Sequence, residues 1–536
     1  MKRIGKNTAT NTFYEIITQG PIELTFLKGN KKPTHNEEIY LNKINIKYLL
    51  TMKKSNLLKS REVRSSIIKV FTAINLSVLM LYLGGCLNKT MTTKENDKQL
   101  IKTYVSDKDT PLWKYIESLP VIDTHEHFGN EDDYLGIQVD IFNLLVPYIV
   151  DNLESAGISL KEMALMKDGQ ASFKDRWSIF NKYYSSIQST TYVLALQTSL
   201  EEQYRFKNFG LEECERVSKL LTKDFAVKGF MQKFMDKNKI ESILTYLGPS
   251  MDAVRKSFGE NNITLVPTVN NICVKDAKSL EEIAKMTETP IHNLDDILAG
   301  IDKLFKAYYD AGIKNIKFGS AYNREINYKP RTLAEAEASF KQIMATPFDY
   351  SDEVPGKHYV FHLSDYHIPL DDYLGIYMIK QAEKYNINAI FHVGIFAWNY
   401  NSAKNNHSSS LEWLIRNFPK VNFVILHSGY PLFDEAILLA KYYPNVYLNM
   451  TWDHIIERGK SIEVMKSYIE MLPTNKIHLF GGDYLFPQQI IGNMIFTKEN
   501  LYIALSELIE KGVLIENQAK KIAYDWLYGN PKAFYY

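Results

Sequence analysis

Short apolar runs recur at eight places after residue 110. They are Val121–Phe128, Ser242–Tyr246, Ile263–Val269, Asn315–Gly319, Ala389–Gly394, Phe423–Gly429, Val446–Thr451 and Ile477–Asp483. Their length and apolar content predict buried β-strands. Stretches with apolar residues at helical spacing lie between them, including Leu294–Ala311, Leu374–Tyr385 and Phe433–Tyr443. Residues 129–240 hold no convincing strand. Phe173–Leu200 and Leu211–Asn238 have helical spacing, so this region reads as a helical insertion after the first strand. Leu112–Ile116 opens a short helix that leads into that strand. Eight strand–helix units predict an α/β fold, a (β/α)8 TIM barrel over residues 111–536, closed rather than open and doubly wound.

Polar residues gather where these strands finish: His127, Lys317, His392, His427 and Asp483. Strand ends of this kind form one face of a (β/α)8 barrel, so positions scattered in sequence converge in space. His125 and His127 lie two apart on the first strand and point to the same side. Packing explains two such imidazoles poorly, and a metal explains them well. Imidazoles and a carboxylate suit zinc first, with manganese or iron as alternatives. Such an ion makes water acidic at neutral pH, and Asp483 would orient that water and move its proton. Each residue also has an ordinary reading: core histidines, a turn at Ser428-Gly429, or a turn or cap residue at Asp483 after two glycines.

Secondary candidates flank this set. Tyr322 and Arg324 follow the fourth strand and offer a substrate carboxylate a phenol and a planar two-point fork, the alternative being a surface loop. Trp452, in Trp452-Asp453-His454, ends the seventh strand and would line the pocket, a solvated loop being the alternative. His358, His362 and His367 imitate a metal cluster but read as loop or core histidines. His407 lies in a loop within reach of the site, while His292 and His478 look structural.

The set resembles the amidohydrolase superfamily, and most of all its "amidohydrolase 2" branch of metal-dependent TIM-barrel hydrolases. Val121–Phe128, Asn315–Arg324, Phe391-His392-Val393-Gly394, Leu426–Pro431 and Phe480-Gly481-Gly482-Asp483 carry the likeness, in the family's order. The insertion is similar to those of uronate isomerases and of nodulin-like domains fused to some glutamine synthetases. The resemblance implies His125, His127, His392, His427 and Asp483 as metal ligands. It also implies Lys317 as a carbamate bridge between two ions, or as an unmodified substrate contact where there is one. The implied activity is hydrolysis of an amide, lactone or ester-like bond in a small polar molecule. The alternatives are a non-hydrolytic uronate-type isomerase or a decarboxylase, and, in another class, a lipid-anchored binding protein on a degenerate barrel.

Composition removes other classes. The 536 residues carry a formal charge of +1, which gives no electrostatic case for nucleic acid. Three cysteines, Cys86, Cys214 and Cys273, make neither a disulfide framework nor a zinc knuckle. The 35 tyrosines suit sugar-like or aromatic substrates. From Met52 a basic stretch precedes the apolar run Val70–Leu83, and Leu83-Gly84-Gly85-Cys86 resembles a bacterial lipobox. Residues 52–86 therefore read as a lipoprotein signal with Cys86 as the lipid anchor, a single membrane span being the alternative. Residues 87–110 read as a flexible tether, and 1–51 as an extension ahead of the true start. The expected location is the bacterial cell envelope, exported and membrane-anchored.

Overall fold

The computed structural model describes residues 105–536, apart from 106, 130, 257–261, 270–271 and 348–361. The described part falls in one compact unit, Gln99–Tyr536. The extension, the signal with Cys86 and most of the tether lie outside the described residues, as does His358. Among the described residues no helix is long and apolar enough to cross a membrane.

A strand forms at each of the eight apolar runs, β2 reaching beyond its run at both ends and β5 starting one residue early: β1 Val121–Glu126, β2 Ile240–Leu247, β3 Ile263–Pro267, β4 Asn315–Phe318, β5 Asn388–Phe391, β6 Phe423–Ile425, β7 Val446–Asn449 and β8 Ile477–His478. All pairings are parallel, in the order β1-β2-β3 and β4-β5-β6-β7-β8. A parallel bridge between Thr268 and Lys317 joins β3 to β4. No ladder links β8 to β1. Instead, backbone N–H groups of Thr124, Asp483 and His127 donate to the carbonyls of Phe480, His125 and Tyr484, at 3.1, 2.8 and 2.8 Å. The fold is the α/β TIM-barrel type expected from the alternation of elements.

Side-chain parity then decides what faces inward. Leu244, Tyr246, Val266, Ile390 and Val424 form one small buried cluster with Tyr535 of the last helix. Their neighbours Ile243, Leu265, Phe391, Phe423 and Leu448 join the larger core beneath the outer helices. There Phe318 stacks on Phe391 at 4.6 Å, and Phe391 on Phe423 at 6.0 Å. Each such ring stabilises the fold by about 1.5–3 kcal/mol relative to exposure. The inward parity that buries Ile390 also turns His392 inward, two residues on.

Among the described residues the regular elements of the insertion are helices until β2 begins, and it has an apolar core of its own, with Ile141, Leu145, Phe180, Leu196, Phe206 and Val217 among its members. The run expected as Phe173–Leu200 is two helices, Phe173–Ile187 and Thr191–Tyr204. Thr190 is extended, at φ −71° and ψ 144°, and restarts the chain there. Ser and Thr bond readily to nearby backbone, which favours such boundaries over helix interiors. Likewise Leu211–Asn238 divides into Leu211–Asp224 and Phe230–Asn238, the second preceded by Gly229 at φ 88°. Arg176, buried, ties the insertion's first long helix to Asp140 through two hydrogen bonds.

Candidate metal centre

His125 and His127 leave β1 on one face, and their Nε2 atoms lie 3.2 Å apart. Asp483 Oδ1 sits 3.2 Å from His125 Nε2 and 3.0 Å from His127 Nε2. Three donor atoms thus meet across the β8–β1 seam, and these three residues form a cluster able to hold a metal ion. The other nitrogen of His127 faces the Tyr246 carbonyl at 3.1 Å. An Nδ1–H donated there leaves the Nε2 lone pair turned toward Asp483. His125 is held differently, its ring stacked on Tyr246 with centroids 3.7 Å apart.

Asp483 reaches this place through a tight loop, at φ 61°. A non-glycine residue in that region is strained and needs support. Glu126 supplies it. Its two carboxyl oxygens accept the backbone N–H groups of Gly482 and Tyr484, at 2.9 and 2.8 Å. A Cβ at Gly482 would collide with Glu126, and one at Gly481 with Thr451, so only glycine lets the loop approach β1 so closely. Tyr148, from the insertion, donates its hydroxyl to the Asp483 carbonyl.

The other two histidines pair with each other. His427 Nε2 lies 3.1 Å from His392 Nδ1. Their outer nitrogens face main-chain carbonyls: His427 Nδ1 that of Thr451 at 2.9 Å, and His392 Nε2 that of Ile395 at 2.9 Å. His427 Nε2 is 3.9 Å from Asp483 Oδ2, so the pair borders the three-residue cluster without entering it. His427 and Ser428 carry positive φ, at 56° and 48°, a second strained turn at a strand end.

Burial sets the charge states. It pushes the His125, His392 and His427 imidazoles down, His427 to about 4, so these three are neutral near pH 7. Burial would raise the Asp483 carboxyl, but His125 and His127 outweigh it and hold the group well below the usual carboxylate range. Lys317 is pushed down by burial to about 8. Its Nζ lies 3.1 Å from His125 Nε2 and 5.0 Å from the Tyr246 ring centroid.

A cavity of about 330 Å³ opens in front of the cluster, lined on one side by His127, Lys317, His392 and Asp483. Tyr322 borders it, and its ring packs on His392 with centroids 4.6 Å apart. Arg324 does not reach it. Its guanidinium is buried against Asp371 (2.9 Å) and Asp372 (2.7 Å), the second of which also holds Arg331, so it is neither a surface charge nor open to a substrate carboxylate. Trp452 does not line the cavity either. It is buried behind Tyr148, stacked at 4.4 Å, with its edge toward His427.

The remaining histidines sit elsewhere. His367 is buried, with Nε2 3.0 Å from the Lys275 carbonyl, and His362 is exposed. His407 pairs with Glu435 at the surface at 2.9 Å. His478 meets the Tyr535 hydroxyl at 2.8 Å inside the barrel. Sequence reasoning passed over Glu126, Tyr148, Thr268 and Trp398. Only Glu126 had an available signal, a carboxylate between two candidate ligands on a buried strand.

Residues 359–536 match the model of the family described as amidohydrolase, the family the sequence resembles. Protein fluG of Emericella nidulans is 29% identical over 174 residues, which span 31% of this chain and 20% of that protein. The chain therefore matches only about a fifth of that relative's length. The fold is shared with a glucuronate isomerase from Caulobacter crescentus, at TM-score 0.63, 17% identity and coverage of 81% of this chain and 96% of that one. It is also shared with a uronate isomerase from Thermotoga maritima, at TM-score 0.62, 15% identity and coverage of 79% and 96%.

Proposed function

We propose that this chain is a metal-dependent hydrolase that cleaves an amide, lactone or ester-like bond of a small polar molecule. The observation that carries the reading is the approach of Asp483 Oδ1 to within 3.2 Å of both His125 Nε2 and His127 Nε2. Two imidazole nitrogens and one carboxylate oxygen, with His127 oriented by a carbonyl behind it, fit a borderline divalent ion, zinc first. One ion suffices for the cluster, since His392 and His427 stand outside it. When bound, such an ion supplies Lewis acidity and lowers the pKa of water toward about 7.

The chain's own groups do the rest. Asp483 Oδ2, 3.9 Å from His427 Nε2, would take the proton of an attacking water and pass it to the leaving group. Lys317 and His392 line the cavity, and Lys317 orients the substrate carbonyl. Lys317 Nζ lies 3.1 Å from the His125 nitrogen that a metal would claim, so with an ion bound the amine would turn toward the substrate or, after adding carbon dioxide and losing a proton, stand as a carbamate.

A second reading is isomerisation or decarboxylation, supported by the fold that the chain shares with two uronate isomerases. Elemental analysis of purified protein, beside turnover of an amide, lactone and ester panel, tests the first reading. Stoichiometric metal and activity lost on chelation are expected, and turnover that survives thorough chelation overturns it. Solvent oxygen labelled with ¹⁸O enters the product of a hydrolase but not that of an isomerase. Export and lipidation at Cys86 rest on the residue pattern of 52–86 alone. N-terminal sequencing and incorporation of labelled fatty acid test them.

A further inference from the structure

We propose that Asn449, the last residue of β7, is a positioning residue: through Thr451 it holds the His427 proton on Nδ1 and so keeps His427 Nε2 an acceptor. The inference concerns one proton on one ring. It goes beyond the metal-centre reading and does not require it.

His427 has a choice to make. Its Nδ1 faces the Thr451 carbonyl at 2.9 Å and its Nε2 faces His392 Nδ1 at 3.1 Å. Burial keeps the ring neutral near pH 7, so it has one N–H for these two neighbours. A proton on Nε2 would give a hydrogen bond between the two histidines and set a bare Nδ1 against the Thr451 carbonyl. A proton on Nδ1 serves the carbonyl and leaves the imidazole nitrogens to face each other. The outcome turns on whether the Thr451 carbonyl is free to swing away.

It is not free. The Thr451 N–H and hydroxyl both donate to Asn449 Oδ1, at 2.8 and 2.6 Å. A backbone N–H can only donate, so the amide oxygen must stand there and the amide nitrogen on the other side. Asn449 Nδ2 donates to Thr124 Oγ1 at 2.9 Å and to the Tyr535 hydroxyl at 3.2 Å. Thr124 in turn donates its own hydrogen to the Phe480 carbonyl at 2.6 Å. The amide thus makes all four of its hydrogen bonds, and Asn449, Thr451 and Thr124 are wholly buried. The peptide that carries the Thr451 carbonyl is pinned at its other end too, where the Trp452 N–H donates to the Gly481 carbonyl at 3.1 Å.

One side chain therefore reaches β1, the end of β8, the last helix and the turn after β7. Releasing Thr451 from it would leave two buried donors bare, which is more costly than the hydrogen bond the two histidines forgo. Asn449 touches neither histidine. It acts on His427 only through the carbonyl two residues further on.

NMR of the full chain labelled with ¹⁵N-histidine tests this, with His427 assigned by the signal lost in His427→Gln. In the wild type the proton is expected on Nδ1. Asn449→Ala should raise the Nε2–H form about fivefold or more, the factor one hydrogen bond is worth. Asn449→Asp, which in its protonated form offers Thr451 an acceptor and Thr124 a donor, should return the proton to Nδ1. Tyr535→Phe is the control for simple loosening. It takes a hydrogen bond from the same amide while Thr451 stays held, and His427 should not change. Thr451→Val loses the hydroxyl alone and gives a second reading if Asn449→Ala does not fold; the Nε2–H form should rise there too, by less. A wild-type proton on Nε2, no change in the variants that release Thr451, or an equal change in Tyr535→Phe overturns the proposal. Spectra are recorded on the protein as purified and again after chelation, with elemental analysis of each sample. A chain that never holds an ion would end the metal reading and leave this one standing.

Discussion

Two corners of the barrel rim carry histidines, and they are built to different ends. At the β8–β1 seam, His125, His127 and Asp483 turn three donor atoms toward a common point. At the ends of β5 and β6, His392 and His427 turn toward each other, with both outer nitrogens against main-chain carbonyls. With both rings neutral, each N–H goes to its carbonyl, so the second corner also sets two lone pairs against each other, 3.1 Å apart, and differs from the first in having no carboxylate oxygen as close. The difference teaches that the acid joining the histidines, more than their strand position, distinguishes the two corners. Which ring nitrogen faces inward is set by the carbonyl behind the other one.

The largest effect should come from Asp483→Asn. Turnover should fall about 10²–10⁴-fold, as expected for loss of a general base, with steady-state kinetics as the check. Glu126→Gln comes next. It places an amide where the loop needs two acceptor oxygens, and metal affinity should fall about 10–100-fold in competition with a chelator. His392→Ala puts the comparison itself at risk. Metal content should stay at the wild-type level while turnover falls; loss of the metal would merge the two corners into one site. His427 gives a pH signature. Its folded pKa of about 4 lies below the ordinary 6.5, so the unfolded chain binds more protons between those values. Its contribution to stability is present above about 6.5 and is lost as the pH falls through about 4. His427→Gln should flatten the denaturation midpoint over that window. Tyr148→Phe should be mildest, costing about 1 kcal/mol for one hydrogen bond to the Asp483 loop.

Much of the fold was legible because buried parallel strands are short, apolar and evenly interrupted by helices. All eight runs became strands, and the inward parity of His125 and Lys317 followed from period-two alternation. The centre was legible only in outline. Five ligands look equivalent in a sequence, whereas His392 presents Nδ1 because the Ile395 carbonyl claims Nε2, a local loop contact. Arg324 looked open to substrate because its partners Asp371 and Asp372 lie 47 and 48 residues further on, at the start of another helix. Tyr148 and Trp398 were invisible because a wall made by an insertion and a loop has no periodicity to read. Glu126 was hidden by its neighbours, since between two candidate ligands its own carboxylate drew no separate attention.

The phenol of Tyr148 has a consequence for how such enzymes diversify. One ring both lines the cavity and grips the main chain of Asp483. A chimera that exchanged this helical module for one from another barrel would therefore alter selectivity and reactivity together. Retuning one without the other would require changes confined to the loop that carries Trp398.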